Sequence, residues 1–234
     1  MVKIIGISGR KQSGKNTVAN IINGDVLKSL HMIQDYKVDE LGNLNIMTTD
    51  KDGNLGWGIF DLLRKDPEFV SYANTNIWPY IKIYHFADYL KMICVDLFDL
   101  DPAQVYGTDD DKNTDTNYGM TAREFLQYFG TNVMRKIKDT IWLDVTLKTI
   151  DLEQPSIAII PDVRFPNEVH AIKDAGGFVI RLTRDTLHSS HECESALNKD
   201  VFDWDTFDYV IDNQGYDISE LQEKTLLMSH IWRN

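Results

Sequence analysis

Apolar positions along the chain fall into two periods. One is nearly continuous: Val2 to Ser8 (VKIIGIS), Ser156 to Pro161 (SIAIIP) and the stretch from Gly177 to Leu182 are runs of the kind that forms buried parallel strands. Tyr80 to Phe86 (YIKIYHF) alternates well enough for another strand, and Asp208 to Asp212 (DYVID) for a last one. The other period is helical. Thr17 to Asn23 suits a helix, and Leu90, Ile93, Cys94 and Leu97 share one helical face. Thr121 to Glu124 forms a capping box ahead of Phe125, Leu126 and Phe129, with Gly130 and Thr131 breaking that helix. Val133 to Ile137, Thr140 to Ile150, the Val169, Ile172, Lys173 segment and Ile218 to Ile231 add further helices. This alternation predicts an α/β fold with about five parallel strands flanked by helices. Ser156 to Leu182 is its clearest unit, a strand, a helix and a second strand, which implies parallel pairing and a right-handed crossover.

Gly24 to Pro79 fits neither period. Within it, Lys37 to Ile59 carries two turn signals, Leu41 to Asn43 and Asp50 to Gly53, between short apolar runs, so one or two hairpins are expected. We read residues 28–79 as an insertion that leaves the main sheet. A lid, a homodimer contact and a surface embellishment are the open roles, the last being the favoured one. Asp61 to Tyr72 is expected as a short helix interrupted by Pro67. Gly107 to Asn117 (GTDDDKNTDTN) is acidic and turn-rich, hence a solvated loop, and it lacks the central Gly and final Glu of a calcium loop.

The 234 residues suit one domain, residues 1–234, with that insertion. A net charge of −12 excludes a protein that grips nucleic-acid polymer by its phosphates, so any anionic ligand must meet locally gathered cations. No apolar run approaches a membrane span and no signal pattern opens the chain, which makes the cytoplasm the expected compartment. The two cysteines, Cys94 and Cys193, are expected as free thiols. His188, His191, Cys193 and Glu194 lie close together, yet their spacing fits no common zinc site.

Those cations are gathered first behind the opening strand, where Gly9 to Lys15 spells G-x-x-x-x-G-K before a helix. Loop N–H groups and a helix N-terminus together make a hole for phosphate, and Lys15 adds a mobile charge for the β- and γ-phosphates. We read a nucleoside triphosphate site. Arg10 and Lys11 add two cations within the loop. Asn16 stands where Ser or Thr usually holds Mg²⁺, so the metal is left to Thr17, to the Asn16 amide or to water. Asp88 and Lys91 fall on a first helical turn just beyond a strand end; helix cap and ligand contact are equal readings for Asp88. Asp162 and Arg164 emerge where the Ser156 strand ends, at the edge that carries the glycine loop. Arg123, Arg135 and Arg184 are further candidates for phosphate contacts. Asp162 is followed by Val163 and no complete Asn-Lys-x-Asp base reader occurs, a pattern that favours a small-molecule kinase over a nucleotide switch.

The strings ISGRKQSGKNT, FADYLK, MTAREFLQYFGT, IIPDVRFPNEVHAIKDAGGFVIRLTR, HECESAL and FDYVIDNQG, in this order, resemble the deoxynucleoside monophosphate kinases of bacterial viruses. The likeness covers most of the chain outside residues 28–79. It implies a P-loop kinase that converts a deoxynucleoside monophosphate to its diphosphate with ATP and Mg²⁺, in a host cytoplasm if the chain is viral. By position it assigns Ser13, Gly14, Lys15, Asn16 and Thr17 to the ATP phosphates. It places Lys11, Asp88, Lys91, Arg123, Gly130, Thr131, Trp142, Asp162, Arg164 and Glu168 around the acceptor. Lys15, Arg164 and Arg123 become the expected catalytic residues, Arg10 a further ATP contact, and Asn16 and Thr17 the metal side. Asn16 replaces an Asp common in relatives, and Cys193 a Ser. A kinase for another phosphorylated metabolite, and a nucleotide-binding regulatory module without turnover, are the alternatives.

Overall fold

In the computed structural model, which describes residues 2–49, 53–60, 66–185 and 195–233, the first apolar run becomes the central strand of a sheet. β1 (Lys3–Ser8) is followed by α1 (Lys15–Ser29) and then by three short strands, β2 (Asp35–Val38), β3 (Leu44–Thr49) and β4 (Leu55–Ile59). α2 (Pro67–Asn76) leads to β5 (Ile81–Ile83), α3 (Ala87–Asp96), α4 (Pro102–Tyr106), α5 (Asp109–Lys112) and α6 (Ala122–Gln127). A π-helical turn, Tyr128–Met134, joins α6 to α7 (Arg135–Ile137). There follow α8 (Ile141–Glu153), β6 (Ile157–Val163), α9 (Pro166–Asp174), β7 (Phe178–Leu182), β8 (Tyr209–Ile211) and α10 (Ile218–Leu226).

The main sheet has five strands in the order β5-β6-β1-β7-β8, all parallel. This is the predicted α/β architecture. One pairing differs: β6 and β7, expected to pair with each other, lie on either side of β1. A right-handed crossover only requires both strands in one sheet, which leaves room for β1 between them. The β6 run also extends past Pro161 to Val163. A register shift between Gly6 and Ser8 absorbs that proline, which has no N–H to give the ladder.

The chain divides into two compact units, Met1–Ile83 with Ile150–Asn234, and Tyr84–Thr149. In the first unit α1 is buried from Val18 to Leu27, including Asn20, Asn23 and Asp25. Such a helix needs cover on every side. Ile5, Ile7, Ile159, Ile180 and Leu182 of the sheet supply one side. The β2-β3-β4 sheet supplies another, antiparallel as its hairpin signals predicted, with Tyr36, Val38 and Leu44 in the same core. The insertion is therefore part of the core and not the embellishment expected. Gly24 permits the contact, because a Cβ there would lie 2.3 Å from the Tyr36 ring. Asp25, 3% exposed, accepts from Trp232 Nε1 at 2.8 Å and from Arg233 Nε at 2.8 Å, which ties the chain's last residues to the same helix.

Three local expectations are corrected. Pro67 opens α2 instead of interrupting a helix: Asp66 caps it through Glu68 N at 2.9 Å, and proline suits a first turn whose N–H has no partner. Residues 61–65 lie outside the described residues. The acidic Gly107 to Asn117 stretch holds the short helix α5, because Thr108 and Asp111 form a reciprocal capping box. Gly130 and Thr131 do not break the helix; they sit in the π-helical turn, where Gly130 lets Leu90 approach so closely that a Cβ would be 2.6 Å from Leu90 Cδ2.

Candidate active site

The glycine loop leaves β1 at Ser8 and closes on itself before α1 begins. Ser13 N donates to Arg10 O at 3.1 Å, Gln12 has φ 60°, and Gly14 has φ 97° as the residue that starts the helix. At Gly14 a left-handed backbone makes glycine the fitting residue. Gly9 is needed for space, since a Cβ there would come 2.3 Å from Ser13 Oγ. Lys15 Nζ donates to Gly9 O at 2.7 Å and Arg10 O at 2.6 Å, so the ammonium holds the two ends of the arch together.

Two further strand ends hold the loop in place. Asn213, fully buried just after β8, donates Nδ2 to Ser13 O at 2.8 Å and accepts Arg184 N through Oδ1 at 2.9 Å. Sequence reasoning took Asn213 only as a turn residue in Asn-Gln-Gly; a buried-amide role has no local signature. The Arg10 guanidinium pairs with Asp185 and donates to Asn198 Oδ1 at 3.1 Å. Arg184 donates NH2 to Tyr216 O at 2.9 Å, which anchors a loop. Arg181, 5% exposed, sits opposite Ser8 in the ladder, donates to its Oγ at 2.8 Å and lies under the Trp204 ring at 5.1 Å.

Asp162 and Arg164 come to the same sheet edge as the loop. Ser8 pairs with Val163, so Gly9 and Arg164 are the next residues of two neighbouring strands. Glu168, 3% exposed, accepts Arg164 N at 2.7 Å and Phe165 N at 3.1 Å, which fixes the backbone that carries the arginine. Burying a carboxylate this deeply requires such donors. Asn16 is exposed on the first turn of α1, and its amide oxygen is a hard donor suited to Mg²⁺. Thr17 is half-buried, with Oγ1 against Gly42 of the insertion. Among the described residues no cluster of His, Cys, Asp and Glu could hold a metal by itself, and His188, His191, Cys193 and Glu194 lie outside them.

Lys11 lies half-buried in the glycine loop beside Arg10, and the remaining sequence candidates belong to the second unit. Asp88 Oδ2 accepts His85 N at 3.1 Å, with His85 Nδ1 3.5 Å from Oδ1. Burial works to raise the Asp88 pKa, but the His85 hydrogen bonds and charge outweigh it and hold the carboxyl below its ordinary value. Lys91 Nζ lies 5.4 Å from the Tyr106 ring centre. Arg123 donates NH2 to Asp109 Oδ1 at 2.6 Å and Nε to Asn113 Oδ1 at 2.8 Å, using the acidic stretch as its partner. Arg135 pairs with Asp139 at 2.9 Å. Gly130, Thr131 and Trp142 are brought together: Trp142 Nε1 donates to Gly130 O at 3.0 Å in the π-helical turn that contains Thr131. Such widened turns recur at functional positions. Cys94 is buried in α3, and burial pushes its thiol up to about 11, which makes it inert at neutral pH.

Comparison with known proteins adds to this geometry. A family model described as deoxynucleotide monophosphate kinase matches residues 83–225, beginning downstream of the glycine loop and the insertion. A relative from Acanthamoeba polyphaga mimivirus named as a deoxynucleotide monophosphate kinase is 35% identical over 136 residues, covering 50% of this chain and 70% of the relative. The deoxynucleoside-5'-monophosphate kinase of Escherichia phage T5 is 30% identical over 88 residues, covering 33% of this chain and 35% of that protein. No helix among the described residues is long and apolar enough to cross a membrane.

Proposed function

We propose, from the premise that the chain belongs to the deoxynucleotide monophosphate kinase family of phosphotransferases, that it moves the γ-phosphoryl group of ATP onto a deoxynucleoside 5'-monophosphate and releases the diphosphate, in viral nucleotide metabolism. The observation that carries this reading is the Ser8–Val163 register, which starts the glycine loop and Arg164 from adjacent strand ends.

The loop N–H groups and the first turn of α1 bind the donor phosphates, with Ser13, Gly14, Lys15, Asn16 and Thr17 lining them and Arg10 beside them. Lys15 exchanges the carbonyls of Gly9 and Arg10 for β- and γ-phosphate oxygens. Arg164 grips the acceptor phosphate, on a backbone fixed by Glu168 and next to Asp162. An acceptor phosphate is ionised near neutral pH, so no general base is needed. Its oxygen bonds to the γ-phosphorus as the bond to the bridging oxygen breaks, and ADP leaves with the electron pair. Magnesium, held on the side of Asn16 and Thr17, supplies charge neutralisation when bound. Lys11, and Asp88, Lys91, Arg123, Gly130, Thr131 and Trp142 of the second unit, take the acceptor roles that the family resemblance implies. Arg123 then trades Asp109 for phosphate.

A coupled assay of ADP release over a panel of deoxynucleoside monophosphates, with the product identified by chromatography, tests the proposal. Turnover with at least one of them is expected, together with loss of at least about 10³-fold in Lys15→Ala at unchanged melting temperature. ATP binding with no diphosphate from any acceptor, or full activity in Lys15→Ala, overturns it.

A further inference from the structure

The insertion touches the glycine-loop helix beside Gly24, through Tyr36 and Leu44, and again at its first two turns, through Gly42. Thr17 and Asn20 stand three residues apart and so share a face of α1. Asn20, 5% exposed, donates Nδ2 to Gly42 O at 2.7 Å. Gly42 has φ 83°, and a Cβ on it would come within 2.8 Å of Thr17 Oγ1. The turn that carries Gly42 is itself fixed. Gly42 N donates to Asp39 O at 2.8 Å and Asp39 N to Asn43 O at 3.0 Å. Asp39 Oδ1 accepts Leu41 N at 3.0 Å and Asn43 N at 2.8 Å, while Oδ2 accepts Asn43 Nδ2 at 3.1 Å.

Resting on the reading of the loop as the ATP site, we propose that the β2–β3 turn, Asp39 to Asn43, is a positioning element for the triphosphate. The first N–H groups of a helix have no partner within it and are the ones that meet phosphate. Their aim depends on where the first turn of α1 sits. Gly42 sets that position from behind, through a buried hydrogen bond to Asn20 and a contact with Thr17 too close for any side chain. The insertion thus acts on donor binding without touching the donor. Thr17 takes part in this contact and stands next to the exposed Asn16, with which it shares the proposed metal side.

Titration calorimetry with ATP on Gly42→Ala, Asp39→Ala, Thr17→Ala and the Gly42→Ala/Thr17→Ala pair tests this, alongside steady-state kinetics. Gly42→Ala is expected to raise the Kd for ATP about tenfold, the equivalent of one strained contact, and to raise the KM for ATP with the KM for the deoxynucleotide unchanged. Asp39→Ala loosens the turn without adding an atom and should raise the Kd in the same direction by less, which keeps the proposal testable if Gly42→Ala fails to fold. In the pair, Gly42→Ala should add less than it does alone, because Oγ1 is gone. Wild-type ATP affinity in Asp39→Ala and Gly42→Ala, with only their melting temperatures lowered, overturns the positioning role. A wild-type chain that does not bind ATP overturns the reading of the loop itself, a result visible before any variant is made.

Discussion

The two sheets of the first unit bury apolar surface in opposite ways. In the main sheet β1 is covered on both faces, and Ile5 and Ile7 are fully buried. Among the described residues, the β2-β3-β4 sheet is covered on one face only. Tyr36, Val38 and Leu44 turn into the core, whereas Leu55, Trp57 and Ile59 of the edge strand β4 are 51%, 43% and 70% exposed. Lys37 Nζ lies 4.5 Å from the Trp57 ring, a cation on the open side. The contrast shows that an insertion with weak local patterning can still be bound into the hydrophobic core, provided one strand pair of it is.

The sharpest way to break the comparison is to remove equal amounts of core from each sheet. Ile5→Ala and Leu44→Ala both empty fully buried positions, and each should lower unfolding free energy by about 2–5 kcal/mol in denaturant titration. A much smaller loss for Leu44→Ala would mean that the insertion is only loosely docked.

A pH titration tests the same docking with a smaller effect. Burial first, and the nearby Asp25 charge second, push the Tyr36 hydroxyl up to about 12. A folded-state pKa above the unfolded value near 10 means that the native chain keeps a proton the unfolded chain releases. The stability this contributes is complete below about pH 10 and is lost as pH rises toward 12. Tyr36→Phe should remove that part of the alkaline decline in melting temperature. An unchanged slope would place the hydroxyl in water.

The smallest effect belongs to the open strand. Trp57→Thr, on the exposed side of β4, should shift stability by less than about 0.5 kcal/mol, measured by the same titration. A larger loss would show that something covers Trp57 in solution.

Much of this molecule was legible in the linear pattern. The glycine loop could be read because strand, glycine spacing and lysine are contiguous, and the Thr121 box because its partners are three residues apart. Arg164 could be assigned to the loop's edge because parallel strands end on the same side. Asn213 could not, since it meets Ser13 across 200 positions. Gly42 carried a turn signal, but nothing local tied that turn to Asn20 and Thr17. Gly130 was read as a helix breaker from its own propensity, whereas Leu90 and Trp142, from other helices, hold it in a widened turn.

By itself the chain determined what neighbouring residues decide: which runs extend, where helices start, and that a cationic glycine loop follows the first strand. Side-chain periodicity reports that a face is buried. It carries no information about which distant surface buries it. Tertiary structure alone therefore decided that β1 lies between β6 and β7, that the insertion shares the core of α1, and which buried amides hold the loop. Those choices depend on shape and hydrogen-bond complementarity between segments that meet only after folding.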